Sequence, residues 1–188
     1  MKKVKLFFLL AGVVLYPFLL AADERAFTYI YEPQTLEKGE IEFEQWITSR
    51  VGRKGKDFTR WDLREEISYG LTENLSTALY LNWSVTNDSD TSTDFDGISS
   101  EWKYLLFNPA EHSLGVLLYG EATSDGDNLS LEEKIVIGQY INRWTLALNA
   151  TVEQEWEFND ETEKEGEVEL TGGASYKILP YLSVGVEL

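Results

Sequence analysis

Six glutamates at every second position are the first residues in this sequence that could do chemistry. Glu153, Glu155 and Glu157 form one triplet, and Glu165, Glu167 and Glu169 form another. Alternate side chains of an extended chain share a face, so each triplet is a row of carboxylates. Two opposed rows would make a cation-attracting mouth, since charged rings select ions. They could also hold a divalent cation loosely through carboxylate oxygens. The competing reading is that both rows stand in open water, where salt screens them over about 10 Å.

A second set has the same period. Arg60, Asp62, Arg64 and Glu66 alternate along one segment, and Glu42 and Glu44 alternate upstream. Polar groups enclosed in a small barrel must pair, so these six read as a lumen charge network with a structural role. His112, followed by Ser113, invites a hydrolase reading. A working nucleophile needs a base oriented by a third group, and no such partner stands out, so no catalytic residue is assigned. With one histidine and no cysteine, disulfides and thiolate chemistry are excluded and a transition-metal site is not expected. No cofactor is expected either, because no phosphate-binding glycine motif occurs. Gly172-Gly173 lies within a strand pattern and reads as close packing or a kink.

The elements that must position these residues are strands. From Trp144, the residues Leu146, Leu148, Ala150, Val152 and Trp156 share one face, broken only by Gln154. After a polar tip at Asn159–Thr162, Val168, Leu170, Gly172, Ala174 and Tyr176 resume the apolar face. Folding the hairpin about Glu161 sets Val152 against Leu170, Leu148 against Ala174, Glu153 against Glu169 and Glu155 against Glu167. One apolar and one polar face, over about ten residues per strand, is the signature of an outer-membrane barrel wall.

The same alternation predicts strands over Glu40–Val51, Phe58–Leu71, Leu75–Thr86, Ile98–Phe107, Leu114–Ala122 and Leu129–Ile141. Tyr181–Leu188 begins a ninth strand beyond the eight. Glu65 falls on the apolar face of its strand, a position tolerable near a rim. The facing is ill-defined around Leu105-Leu106. Asn87–Asp96 reads as a polar, acidic loop. Short turns at Thr72–Asn74, Asn108–His112, Asn142–Arg143 and Ile178–Pro180 alternate with longer polar connections, the bias expected of periplasmic turns and outer loops. All six tryptophans (Trp46, Trp61, Trp83, Trp102, Trp144 and Trp156) fall near strand ends, as aromatic girdles require.

Residues 1–22 read as a signal peptide: Lys2, Lys3 and Lys5, an apolar run from Leu6 to Leu20, then Ala21-Ala22. That run contains Pro17 and is shorter than the roughly 20 residues a spanning helix needs. Removing it takes three of the 16 basic residues and none of the 33 acids, so the net charge falls from −17 to 13 − 33 = −20. So acidic a chain lacks the basic footprint that nucleic acid requires. No later apolar run reaches helix-spanning length, which leaves a closed barrel of strands as the route through a bilayer.

Tyr29-Ile30-Tyr31-Glu32-Pro33-Gln34-Thr35-Leu36-Glu37-Lys38-Gly39-Glu40-Ile41-Glu42-Phe43-Glu44 resembles the opening of a group of uncharacterised outer-membrane barrels. That group includes the transporter family linked to phenol-degradation pathways. Tyr69-Gly70-Leu71-Thr72-Glu73-Asn74-Leu75-Ser76 is similar to its strand–turn–strand phrase. The resemblance implies a barrel fold and a transport role, and supplies no catalytic residue.

The expectation is an all-β, antiparallel up-and-down transmembrane β-barrel, incomplete at the C-terminus because strands in such barrels are even in number. Residues 1–22 are the signal peptide, 23–39 a periplasmic lead-in, or alternatively a short plug or a first strand, and 40–188 the barrel strands. Its place would be the outer membrane of a Gram-negative-type bacterium, with membrane lipid as partner. It would act as a passive pore or transporter for small solutes or cations, not as an enzyme. The alternatives are a non-conducting structural or surface-interaction barrel and a soluble exported ligand-binding barrel.

Overall fold

The computed structural model describes residues 25–52, 58–88, 90–158 and 162–188. The signal-like stretch 1–22 lies outside them, as do the hairpin tip residues 159–161. Among the described residues every regular element is a strand: β1 (Ile41–Val51), β2 (Thr59–Thr72), β3 (Leu75–Asn87), β4 (Thr91–Phe107), β5 (Gly115–Ser124), β6 (Asn128–Ile141), β7 (Trp144–Phe158), β8 (Thr162–Leu179) and β9 (Leu182–Glu187). Each pairs antiparallel with the next, giving one nine-stranded sheet in the order β1 to β9. The sheet curves into an open half-barrel whose two edges are β1 and β9. The all-β, antiparallel up-and-down architecture read from the alternation is the architecture observed.

The polarity of the two faces follows from the period of two. On the convex face Phe43, Ile67, Leu79, Ile135, Leu148, Val168 and Leu170 are exposed. On the concave face Ser68, Ser76, Tyr80, Ser99, Glu101, Asn149, Thr151 and Ser175 are buried. Leu105, Leu117 and Val136 add a small apolar patch to the concave side. Leu105 therefore faces in and Leu106 faces out, which settles the ambiguity at that dipeptide. Glu65 does lie on the convex face, where its carboxylate accepts a 3.3 Å hydrogen bond from Gln45 Nε2.

What the sheet encloses is its own N-terminal segment. Residues 25–39 cross the concave face as a strap that forms no strand. Inward glycines make the trench in which it lies. A Cβ on Gly70 would sit 1.9 Å from the Glu37 carbonyl oxygen. On Gly115 or Gly138 it would sit 2.7 Å from Pro33, and on Gly173 2.6 Å from Phe27. The lead-in is thus a plug within the curve of the sheet, and Gly173 is the close-packing position its sequence context suggested.

Four expectations need correction. The β7–β8 hairpin folds one residue earlier than about Glu161: Val152 pairs with Val168, Leu148 with Gly172, Glu153 with Glu167 and Glu155 with Glu165. This displaces the partner by two, an even slip, so every side chain keeps its face. The acidic loop at Asn87–Asp96 is mostly ladder, because Thr91–Phe95 pair with Trp83–Asn87 and only 88–90 turn. Short and long connections therefore do not alternate as expected, since 108–114 is among the longest and 88–90 and 125–127 are short. Finally, Trp46 is no girdle residue. It faces inward, with the Arg25 guanidinium 4.8 Å from its ring centroid. Outward aromatic pairs do flank the sheet near opposite ends, Trp83 on Phe95 at 4.8 Å and Trp144 on Tyr176 at 4.9 Å.

Candidate functional site

The concave face carries more ordered chemistry than either glutamate triplet. Because the pairings of β4 to β8 run in register at this level, with the β4–β5 bulge lying beyond it at Leu105–Phe107, one acidic position per strand falls into a single transverse row: Glu101, Glu121, Glu132, Glu153 and Glu167. Like charges directly opposite one another are destabilising, so each needs local donors. Lys103 Nζ lies 2.6 Å from Glu101, which also accepts a short hydrogen bond from the Tyr80 hydroxyl. Tyr119 donates to Glu121 at 2.5 Å and Thr123 donates to it at 3.0 Å. Lys134 pairs with Glu132 at 2.5 Å, and Ser130 donates to Glu153 at 2.9 Å. Glu167 stands exposed at the open end of the row.

The strap sits over the middle of this row. Tyr31 tilts against Tyr119, ring centroids 4.8 Å apart. The ammonium groups of Lys134 and Lys103 approach the Tyr31 ring at 4.8 and 5.2 Å, favourable cation–π distances. Burial, reinforced by the charge of Glu101, holds the Tyr31 phenol above its ordinary range. Side chains take the place of ladder partners for the strap's backbone. Asn149, itself only 2% exposed, accepts from the Tyr31 N–H at 2.7 Å and donates to the Tyr31 carbonyl at 3.0 Å. Glu187 of β9 accepts from the successive N–H groups of Thr28, Tyr29 and Ile30 at 2.9, 2.8 and 3.2 Å.

The six mouth glutamates all lie on the concave side of β7 and β8. Register sets Glu153 against Glu167 and Glu155 against Glu165, while Glu169 faces Thr151 and Glu157 faces Glu163. Among the described residues no group of three or more acidic or histidine side chains converges as a metal site would.

The six lumen residues share the concave face of β1 and β2. Arg60 bonds Asp62 at 2.7 Å and Asp96 at 3.3 Å, with Arg50 closing on Asp62 at 3.0 Å. Glu44 pairs with Arg25 of the strap at 3.0 Å. Buried Glu66 accepts from the Ser68 hydroxyl at 2.6 Å. Glu42 lies opposite Ser68. Arg64 donates from Nε to Asn82 Oδ1 at 3.0 Å and stacks 4.7 Å from the Tyr80 ring centroid. His112 lies apart, in the β4–β5 connection, edge-on to Phe107 at 5.3 Å.

A model of a family of unknown function, DUF6662, matches residues 19–188. The chain belongs to DUF6662. No curated protein and no solved structure matches this DUF6662 chain.

The transverse row was within reach of the sequence only in part. Glu121, Glu132, Lys134 and Tyr119 read as inward from parity alone. Their alignment needs the registers of four consecutive strand pairs, which turn lengths at single-residue accuracy would have been required to fix. Asn149 and Glu187 carried no signal, since their partners lie more than a hundred residues away.

Proposed function

We propose that this chain builds the wall of an outer-membrane β-barrel that passes small solutes, with the strap narrowing its lumen. The observation that carries the reading is the inversion of polarity between faces. The convex side exposes Val168 at 80%, Leu170 at 69% and Phe43 at 68%, whereas the concave side buries glutamate, serine and asparagine. Monomeric proteins in water rarely expose contiguous apolar surface beyond a few hundred Å², and a soluble ligand-binding barrel would bury these residues inside. Membrane lipid is the partner this face suits. Outward aromatics near both ends suit the two lipid–water interfaces. Export through the signal-like residues 1–22 to the outer membrane of a Gram-negative-type bacterium belongs to the same reading.

The second reading, a non-conducting barrel, is favoured by one observation: Asn149, Glu187 and the glycine trench fasten the strap across the lumen. Reconstitution in planar bilayers separates the two by single-channel conductance. A cation-selective reversal potential, lost when Glu155 and Glu165 are changed to glutamine, would mark the glutamate rows as an ion-selecting mouth. The lipid-facing assignment is tested by Leu148→Arg. Arginine near a bilayer midplane costs about 2–4 kcal/mol, so heat-modifiable, detergent-extracted protein should fall sharply. Unchanged yield and unchanged extraction without detergent would refute the lipid-facing assignment.

A further inference from the structure

On the β1–β2 side of the strap, the concave face holds a cavity of about 560 Å³, a size that suits a small organic ligand. Its charge is unlike that of the chain as a whole. Four guanidinium groups reach it, those of Arg25, Arg50, Arg60 and Arg64. Three of them are already matched: Arg25 by Glu44, and Arg50 and Arg60 by Asp62, with Asp96 also on Arg60. Arg64 differs. Among the described residues no carboxylate lies within ion-pair distance of it, and its one hydrogen bond uses Nε, leaving the two terminal nitrogens. Asn82 and the Tyr80 ring hold the guanidinium plane in place. Glu121 acts on Arg64 from beyond ion-pair distance, and an oriented fork of N–H donors with no carboxylate in contact is the arrangement that reads a carboxylate.

We propose that this cavity binds a small organic carboxylate through the terminal nitrogens of Arg64. The site gives the pore reading a solute class. It rests on that reading only in requiring a lumen open to water. A carboxylate entering the cavity completes the pairing of the fourth arginine. Half-buried Trp46 and Leu63 line the cavity beside the arginines and give its carbon skeleton apolar contact. Asp62, Glu66 and Asp96 line the cavity against the four arginines, so a solute bearing only an ammonium group meets a surface with an excess of positive charge.

The test is calorimetric titration of the full chain in detergent with butyrate, 4-aminobutyrate and butylammonium. Binding of both carboxylates, with no heat from butylammonium, is expected. Arg64→Gln should weaken butyrate at least tenfold. Should that variant fail to fold, Asn82→Asp places a carboxylate on Arg64 and should weaken butyrate to a similar degree. The proposal is overturned if neither carboxylate binds, if butyrate affinity survives either folded variant, or if equimolar chloride displaces butyrate as well as acetate does. Because conductance plays no part in the titration, a failed pore reading would leave butyrate binding intact.

Discussion

Replacing Asn149 by alanine should free the strap as a unit. Asn149 makes two neutral hydrogen bonds to the Tyr31 backbone, at 2.7 and 3.0 Å, from a site with 2% exposure. Each such bond contributes about 1 kcal/mol net, and a buried backbone group left without a partner costs a further 1–3 kcal/mol. Tyr31 is only partly buried, so water recovers some of that second cost. The sum is about 3 kcal/mol against strap docking, which is roughly a hundredfold in the opening equilibrium. Hydrogen exchange reads it directly. The informative amides are not that of Tyr31, which loses its acceptor outright, but those of Thr28, Tyr29 and Ile30. Their acceptor, Glu187, is untouched by the substitution. They should exchange about a hundredfold faster, while the buried Val136 amide in β6 keeps its rate. If Thr28–Ile30 exchange as before and only Tyr31 accelerates, the strap does not dock cooperatively and the reasoning fails.

Three further outcomes follow from the geometry. Gly173→Val drives a side chain into Phe27 and Ile30, so trypsin should reach Lys38 faster, whereas Gly172→Val, whose Cβ position is 3.4 Å from a flexible Leu148 methyl, should leave cleavage unchanged. Glu167→Gln removes a charge directly opposite Glu153 and should raise the thermal midpoint at low ionic strength, an advantage that fades in about 1 M salt if repulsion is its cause. The Asp125 carboxyl is held below its ordinary range by the Asn128 side chain at 2.9 Å, the Asn128 N–H at 2.7 Å and the Asp127 N–H. A depressed carboxyl lends stability above its unfolded value of about 4 and loses it as pH falls through the lower folded value. Amide exchange at 126–128, corrected for the intrinsic rate, should therefore accelerate on acidification, and Asp125→Asn should flatten that dependence.

How much of this was legible depended on the range of the interaction. Face assignments survived because the period of two is set by backbone geometry within each strand, so Leu148 and Glu153 lie on the sides their parity required. Register did not survive, because the turn beyond Phe158 decides it and the tip residues carry no apolar pattern. Thr91–Phe95 passed for a loop because the surrounding Asn, Asp and Ser are turn formers that mask the strand preference of its threonines, yet they extend a ladder that Trp83–Asn87 had begun. Trp46 passed for a girdle residue on its nearness to a strand end, although its parity with Glu42 and Glu44 already sets it on the inward face. What it meets is Arg25, which belongs to a segment with no periodicity at all. The docking of the strap was illegible for the same reason: the backbone groups of Thr28–Tyr31 bond to side chains of β7 and β9, not to the backbone of a neighbouring strand.

The grip of Glu187 on Thr28 joins positions 159 residues apart, and this sets a chronology for assembly. Closing so long a loop is entropically costly and brings no return until both ends are present. Each strand can zip onto its predecessor as it emerges, but the threaded segment finds its final anchor only after β9 has been laid down. Until then the N–H groups of Thr28, Tyr29 and Ile30 lack their acceptor, so a lesion in β9 should betray itself first in those residues.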